Sequence, residues 1–259
     1  MTPTKKTIRV NVDVTNPGHF FACCGLLELA DRFWPGAEGW FKENEFLITC
    51  DGSLADLIQQ ICQTRLVQID PNNNTSSPLF YEKPFDLRLD WWQDDRAGGK
   101  DLKVWAGTME SGRIAKAMQL AMEQPEFQHS DLFNVGVIAY DPENSTKKVE
   151  PFYFDARRGP NAHSRDVGFA ANDLQLTTTA FPAVEFLCLV GLQRCLPVRL
   201  GRSRLFDYHT WPQPMLPELL PAAICGLISH PESCGFRFEN WYRTGQKKHK
   251  AFLTGNPLS

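Results

Sequence analysis

The residues best able to do chemistry lie between Pro151 and Leu205. Three aromatics (Phe152, Tyr153, Phe154) lead into a polar stretch with Asp155, Arg157, Arg158, Asn161, His163, Arg165 and Asp166, followed by Asn172 and Asp173. After the apolar run from Pro182 to Leu196 come Arg199, Arg202 and Arg204. The stretch holds seven arginines and no lysine, against four acids, Asp155, Asp166, Asp173 and Glu185. A guanidinium fork matches the geometry of phosphate oxygens, so an arginine-only cluster beside aromatics reads as a phosphodiester or nucleic-acid contact. The plainer reading is that several of these arginines pair with Asp155, Asp166, Asp173 and Asp207. A second basic cluster, Lys247, Lys248 and Lys250 with His249, sits near the C-terminus beside Trp241 and Tyr242. It reads either as a backbone contact or as edge charge that keeps a strand from pairing. Lys100, Lys103, Trp105, Arg113 and Lys116 form a weaker third group, in which ordinary surface charge and a core tryptophan are the favoured reading.

Signatures of common enzyme chemistry are absent: the chain has no GxSxG, HExxH, Walker A or GxGxxG run. A metal-independent RNA endonuclease needs only a base and an acid near a 2'-hydroxyl, with a cation on the scissile phosphate. His163, between Arg158 and Arg165, is the candidate for that role, although a lone loop histidine is more often a phosphate contact. His19 falls at the positive end of the first helix, which disfavours an imidazolium and suggests a structural, backbone-contacting role. The eight cysteines, at 23, 24, 50, 62, 188, 195, 225 and 234, have no zinc-site spacing and no CxxC pair. No metal and no cofactor is expected.

Composition bounds these readings. The 259 residues carry a net charge of -3, unevenly divided: 15 basic and 22 acidic side chains in 1–150, but 12 basic and 8 acidic in 151–259. Such a chain suits docking by one side and meeting a polyanion with the other. The opening MTPTKKTIRVNVDV has no apolar signal core and no run reaches about 18 apolar residues, so the expected setting is a reducing cytoplasm without membrane contact.

The positioning elements follow from periodicity. Ile8, Val10, Val12 and Val14 alternate with polar residues as in a half-buried strand, and Asn16-Pro17 then caps a helix whose Leu26, Leu29, Ala30 and Phe33 recur at helical spacing. A strand over 46–50 precedes a helix opened by Ser53 and Asp56, with Leu54, Leu57, Ile58 and Ile61 on one face. Further strands are expected at 85–89, 135–140, 152–154 and 205–211. Helices are expected around Ile114 to Met122, over 182–196 and around 222–227, and a hairpin spans 236–253. The fold class is α+β, one compact domain over 1–259 with long loops and an RRM-like, ferredoxin-like N-terminal core.

Several of these segments together resemble a known family. Val12-Asp13-Val14-Thr15-Asn16-Pro17-Gly18-His19-Phe20-Phe21, running into Cys24-Gly25-Leu26-Leu27-Glu28-Leu29-Ala30-Asp31, resembles the opening of the third Csb family of CRISPR-associated proteins, of subtype I-U (now I-G). Asp155-Ala156-Arg157-Arg158-Gly159 and Pro182-Ala183-Val184-Glu185-Phe186-Leu187 fit the same family, and the latter also resembles large subunits of that subtype. The resemblance implies a non-catalytic subunit of a Cascade-type effector, with guide RNA and/or target DNA and other CRISPR-associated subunits as partners. On that expectation Arg157, Arg158, His163, Arg165, Arg199, Arg202, Arg204, Lys247, Lys248 and Lys250 touch nucleic acid. An RNA endonuclease that processes CRISPR RNA and a purely structural assembly subunit are the alternatives.

Overall fold

The computed structural model describes residues 5–70, 72, 77–90, 110–158, 179–201, 203–243 and 248–258. Two apolar helices form its centre. The first, α1 (Pro17–Phe33), follows strand β1 (Lys6–Asn11) and is buried continuously from Pro17 through Ala30. It leads to the hairpin β2 (Glu38–Lys42) and β3 (Glu45–Cys50), then to α2 (Leu54–Gln63). At the start of α2, Ser53 and Asp56 cap each other reciprocally, as their spacing predicts.

β1, β3 and β2 form one antiparallel sheet in that order, with Val10, Phe46 and Phe41 in register on the face against α1. This is the βαββα part of a ferredoxin-like unit. The resemblance to that core stops there. A fourth strand would complete it beside β1, but β4 (Leu66–Gln68) pairs instead with β5 (Leu79–Tyr81), which pairs with β6 (Leu87–Leu89), in a separate sheet.

α3 (Ser111–Ala121) follows, burying Ile114, Ala115, Ala117 and Met118, and then the short hairpin β7 (Tyr140–Asp141) and β8 (Asn144–Lys148). The second central helix, α4 (Pro182–Gly191), has every residue buried. After β9 (Val198–Arg199) and β10 (Leu205–His209) come α5 (Leu220–Ile224), β11 (Gly235–Arg243), β12 (Lys248–Phe252) and β13 (Asn256–Pro257). β12-β11-β10-β9 is the second large sheet, with β13 also on β11. One contiguous apolar cluster takes in residues from Ile8 to Phe252, so both sheets share a core, and the mixed α+β class is as expected.

Three expected elements differ. Phe152 to Phe154 is no ladder strand: Tyr153 has φ of +62°, a left-handed conformation that breaks strand geometry, and its carbonyl accepts the Phe252 amide at 3.1 Å. The expected strand over 135–140 is reduced to a single bridge, Val137 with Ala180, and to Tyr140 in β7. The helix expected to reach Leu196 ends at Gly191, where the chain turns. β2 went unread because Glu38-Gly39-Trp40-Phe41-Lys42 has only a glycine and one phenylalanine on its core face.

α1 and α4 touch backbone to backbone. A Cβ on Gly25 would run into the Leu187 carbonyl, and one on Gly191 into the Phe21 carbonyl. Each glycine therefore sits where no side chain fits and no flexible group can give way. Gly25→Ala and Gly191→Ala should each destabilise the protein by about 3 kcal/mol or more, beyond an ordinary overpacking cost. Urea denaturation measures this, and a loss below about 1 kcal/mol would mean that the helices can move apart.

Candidate functional site

The first turns of α1 and α4 converge on a buried polar cluster built from distant parts of the chain. Asn16 caps α1: its side-chain oxygen accepts the Gly18 amide at 3.0 Å and the Ala156 amide at 3.0 Å, while its Nδ2 donates to Asp155 at 2.9 Å. Glu185, in the first turn of α4, accepts the Phe154 and Asp155 amides, each at 3.2 Å. Asp155 and Glu185 are both 0% exposed. A charge so placed needs partners, because the cost of taking it out of water is several kcal/mol.

Arg157 supplies the main one. Its Nε and Nη2 reach the two Asp155 oxygens at 3.0 and 2.6 Å, Nη1 donates to Asn134 at 2.9 Å, and Nη2 also donates to the Phe133 carbonyl at 2.7 Å. The guanidinium lies 3.6 Å from the centroid of the Phe181 ring. One side chain thus ties together residues 133–134, 155 and 181 through charge, hydrogen bonds and a cation–π contact.

His19, 2% exposed, completes the cluster. Its Nδ1 accepts the Asp13 amide at 3.2 Å, which places the ring proton on Nε2, 3.7 Å from Asp155 and beyond a good hydrogen bond. That is the backbone-contacting role its sequence position suggests. Burial alone would raise the Asp155 pKa, but the facing His19 ring and the Arg157 guanidinium outweigh it and hold the carboxyl well below its usual range. Burial, then the neighbouring Asp155 charge, push Glu185 up to about 8 despite its amide donors. The two carboxyl groups therefore differ: one is an ion, the other holds its proton at neutral pH.

The groups of this cluster are mostly spent on one another. The His19 ring is used on one nitrogen and turned inward on the other, and neither carboxylate reaches solvent. His19 also lines an open cleft with Asn11, Val12, Asp13, Glu43, Asn44, Glu45 and Asn134, whose acids give it the wrong sign for a phosphodiester. Among the described residues no group of three His, Cys, Asp or Glu side chains is placed to hold a metal.

The expected contact residues fall out as follows. Arg157 takes the plainer of the two readings given for these arginines: it is the counter-ion of Asp155, with its side chain 36% exposed. Arg158, half-buried, follows on the same turn and donates its amide to the Asp155 carbonyl at 2.9 Å. Arg199 lies on β9 with Nε on the Ser203 carbonyl at 3.1 Å, and the Arg204 carbonyl accepts the Asn240 amide at 2.9 Å. The backbones of Lys248 and Lys250 lie on β12. His163, Arg165, Arg202 and Lys247 lie outside the described residues, as do Lys100, Lys103 and Trp105. Asp207 pairs with Arg237 at 2.8 and 2.9 Å. Arg194 likewise meets the buried Glu28, which Arg32 also contacts. In the third group Arg113 is tied to Glu110, Asp141 and Glu143.

Glu185 gives a pH signature. Its folded-state pKa, about 8, lies above the ordinary 4.5, so the folded protein keeps a proton that the unfolded chain releases. Its contribution is complete below the unfolded value and is lost as pH rises towards 8. Wild-type stability relative to Glu185→Gln should fall between pH 5.5 and 8 by up to about 1.4 kcal/mol per pH unit. Urea midpoints across that range test it, and parallel profiles for the two proteins would contradict a proton on Glu185.

Comparison of the chain with models of known families, with curated proteins and with solved structures finds no match.

Proposed function

We propose that this chain is a non-catalytic subunit of a type I CRISPR RNA-guided effector, holding the backbone of guide RNA or target DNA with the basic part of its sequence. The observation that carries the reading is the division of charge, 15 basic and 22 acidic side chains in 1–150 against 12 and 8 in 151–259. In RNA-guided machines base pairing reads sequence while protein holds backbone and shape, so a subunit needs cations and a fixed framework rather than an active site. The family resemblance supports the same reading.

The cluster refines which arginines act. Arg157 is engaged internally, where it links residue 155 to residue 181. Backbone contact is assigned to Arg158, His163, Arg165, Arg199, Arg202, Arg204, Lys247, Lys248 and Lys250. An acidic N-terminal half is left for the protein neighbours of the assembly.

Filter binding of single-stranded RNA and of duplex DNA across salt concentrations tests the proposal. Affinity should fall steeply with salt, and replacing Arg165 together with Lys247 and Lys248 by Ala should lower the slope by about 2–3 while leaving the melting temperature unchanged. Arg157→Ala should instead lower the melting temperature, because it strands a buried carboxylate. A slope indifferent to the triple variant would favour a purely structural subunit. A discrete RNA cleavage product formed in chelator and lost in His163→Ala would favour the endonuclease.

A further inference from the structure

Among the described residues the β1-β3-β2 sheet has no strand on the far side of β1. In a ferredoxin-like unit a fourth strand lies antiparallel beside β1, but here that part of the chain leaves for the β4-β5-β6 sheet, and among the described residues β1 is an edge. The register shows which groups that edge presents. Val12 donates to Asn44 at 2.8 Å, and Val10 and Ile8 stand opposite Phe46 and Ile48, so the even-numbered residues spend their amides and carbonyls on β3. Thr7, Arg9 and Asn11 point theirs the other way. Asn11 is occupied: its amide meets the Ser130 carbonyl at 2.9 Å and its Nδ2 meets Asp131 at 2.6 Å. Thr7 and Arg9 are exposed, and among the described residues their amides and carbonyls have no backbone partner.

An unpaired edge is a template for another strand unless it is covered or charged. The charges around this one choose the occupant. Lys5, Lys6 and Arg9 are all exposed, and Arg9 carries a single exposed pairing, to Glu45 at 3.0 Å with 59% of its side chain still accessible. A second copy of the chain adding antiparallel to β1, centred on Thr7, would set Lys5 of each copy opposite Arg9 of the other, a like-charge juxtaposition that opposes pairing. An extended segment with acidic residues on the Arg9 face has the opposite effect. On the other face Ile8 and Val10, 4% and 0% exposed, would set apolar neighbours beside them.

We propose that the free edge of β1 is a docking site for an extended, acidic segment of a partner protein, which adds as a fourth antiparallel strand through the Thr7 and Arg9 backbone. Main-chain hydrogen bonds supply the affinity and the basic side chains the choice of partner. The site stands on sheet geometry alone, independently of the nucleic-acid reading, and its test involves no nucleic acid.

Amide exchange at Thr7 and Arg9 in the isotope-labelled full chain, with and without an acetylated hexapeptide alternating Glu and Val, is the measurement. The acidic peptide should slow both amides by about tenfold or more at saturation, with the effect weakening in salt, and the Lys-Val counterpart should not. Thr7→Pro removes an outward donor that the β1–β3 ladder does not use, so it should abolish the protection with an unchanged melting temperature, while Thr7→Val keeps it. Should Thr7→Pro fail to fold, Arg9→Glu decides: it must transfer the preference to the Lys-Val peptide. Absence of slowing, equal slowing by both peptides, persistence of protection in Thr7→Pro or an unchanged preference in Arg9→Glu would each overturn the proposal.

Discussion

A single carboxylate buried between two helices is the constraint on which the rest of this structure depends. Asp155 is an ion with no access to solvent, and an ion so placed persists only when its oxygens are filled. The filling groups come from Asn16 at the head of α1 and from Arg157, itself anchored on Phe133 and Asn134; His19 stands just beyond hydrogen-bond range. Glu185 on α4 can sit beside this ion because it keeps its own proton. Satisfying one charge therefore brings four distant stretches of sequence to one point. The glycine contact between α1 and α4 is the apolar complement: the helices approach closely enough for their first turns to share the cluster only because Gly25 and Gly191 have no side chains.

That economy shapes the functional reading. Arg157, the first arginine after the aromatic triplet, is one that the fold engages internally. Its removal from the pool of free cations does not erase the basic balance of 151–259, but it separates two roles that a list of arginines merges: holding the chain and holding a polyanion. The same separation applies at Arg194, Arg113 and Arg237, each engaged by carboxylates. Along β1 the balance differs, since exposed Lys5, Lys6 and Arg9 stand beside Thr7 and Arg9 backbone groups that no described backbone group takes.

Much of the framework was legible because it is local. The alternation of β1, the Asn16-Pro17 cap of α1, the Ser53/Asp56 capping box and the hairpin of β11 and β12 each depend on neighbours in sequence, and each stands where its pattern places it. What failed was non-local. The Phe152-Tyr153-Phe154 run has strand composition, yet its backbone is set by the Asp155 cluster and by Phe252. β2 has little pattern because its partners supply its burial. The departure of β4 from the first sheet is decided by pairing with β5, which no period in the chain reveals. The cluster itself left one readable trace, a lone acid, Glu185, inside an otherwise apolar helix. A buried acid there demands partners, which are the Phe154 and Asp155 amides; Asn16, already assigned as a cap, partners the neighbouring Asp155.

Native-state hydrogen exchange on Asp155→Asn, a substitution that keeps shape and removes charge, tests the central claim most directly. The account predicts that amides at the start of α1, at 154–158 and at the start of α4 lose protection together, by a common amount of about 2 kcal/mol or more. Loss confined to 155–158, with α1 and α4 as protected as in the wild type, would show that the helices hold one another without the buried ion and would contradict it.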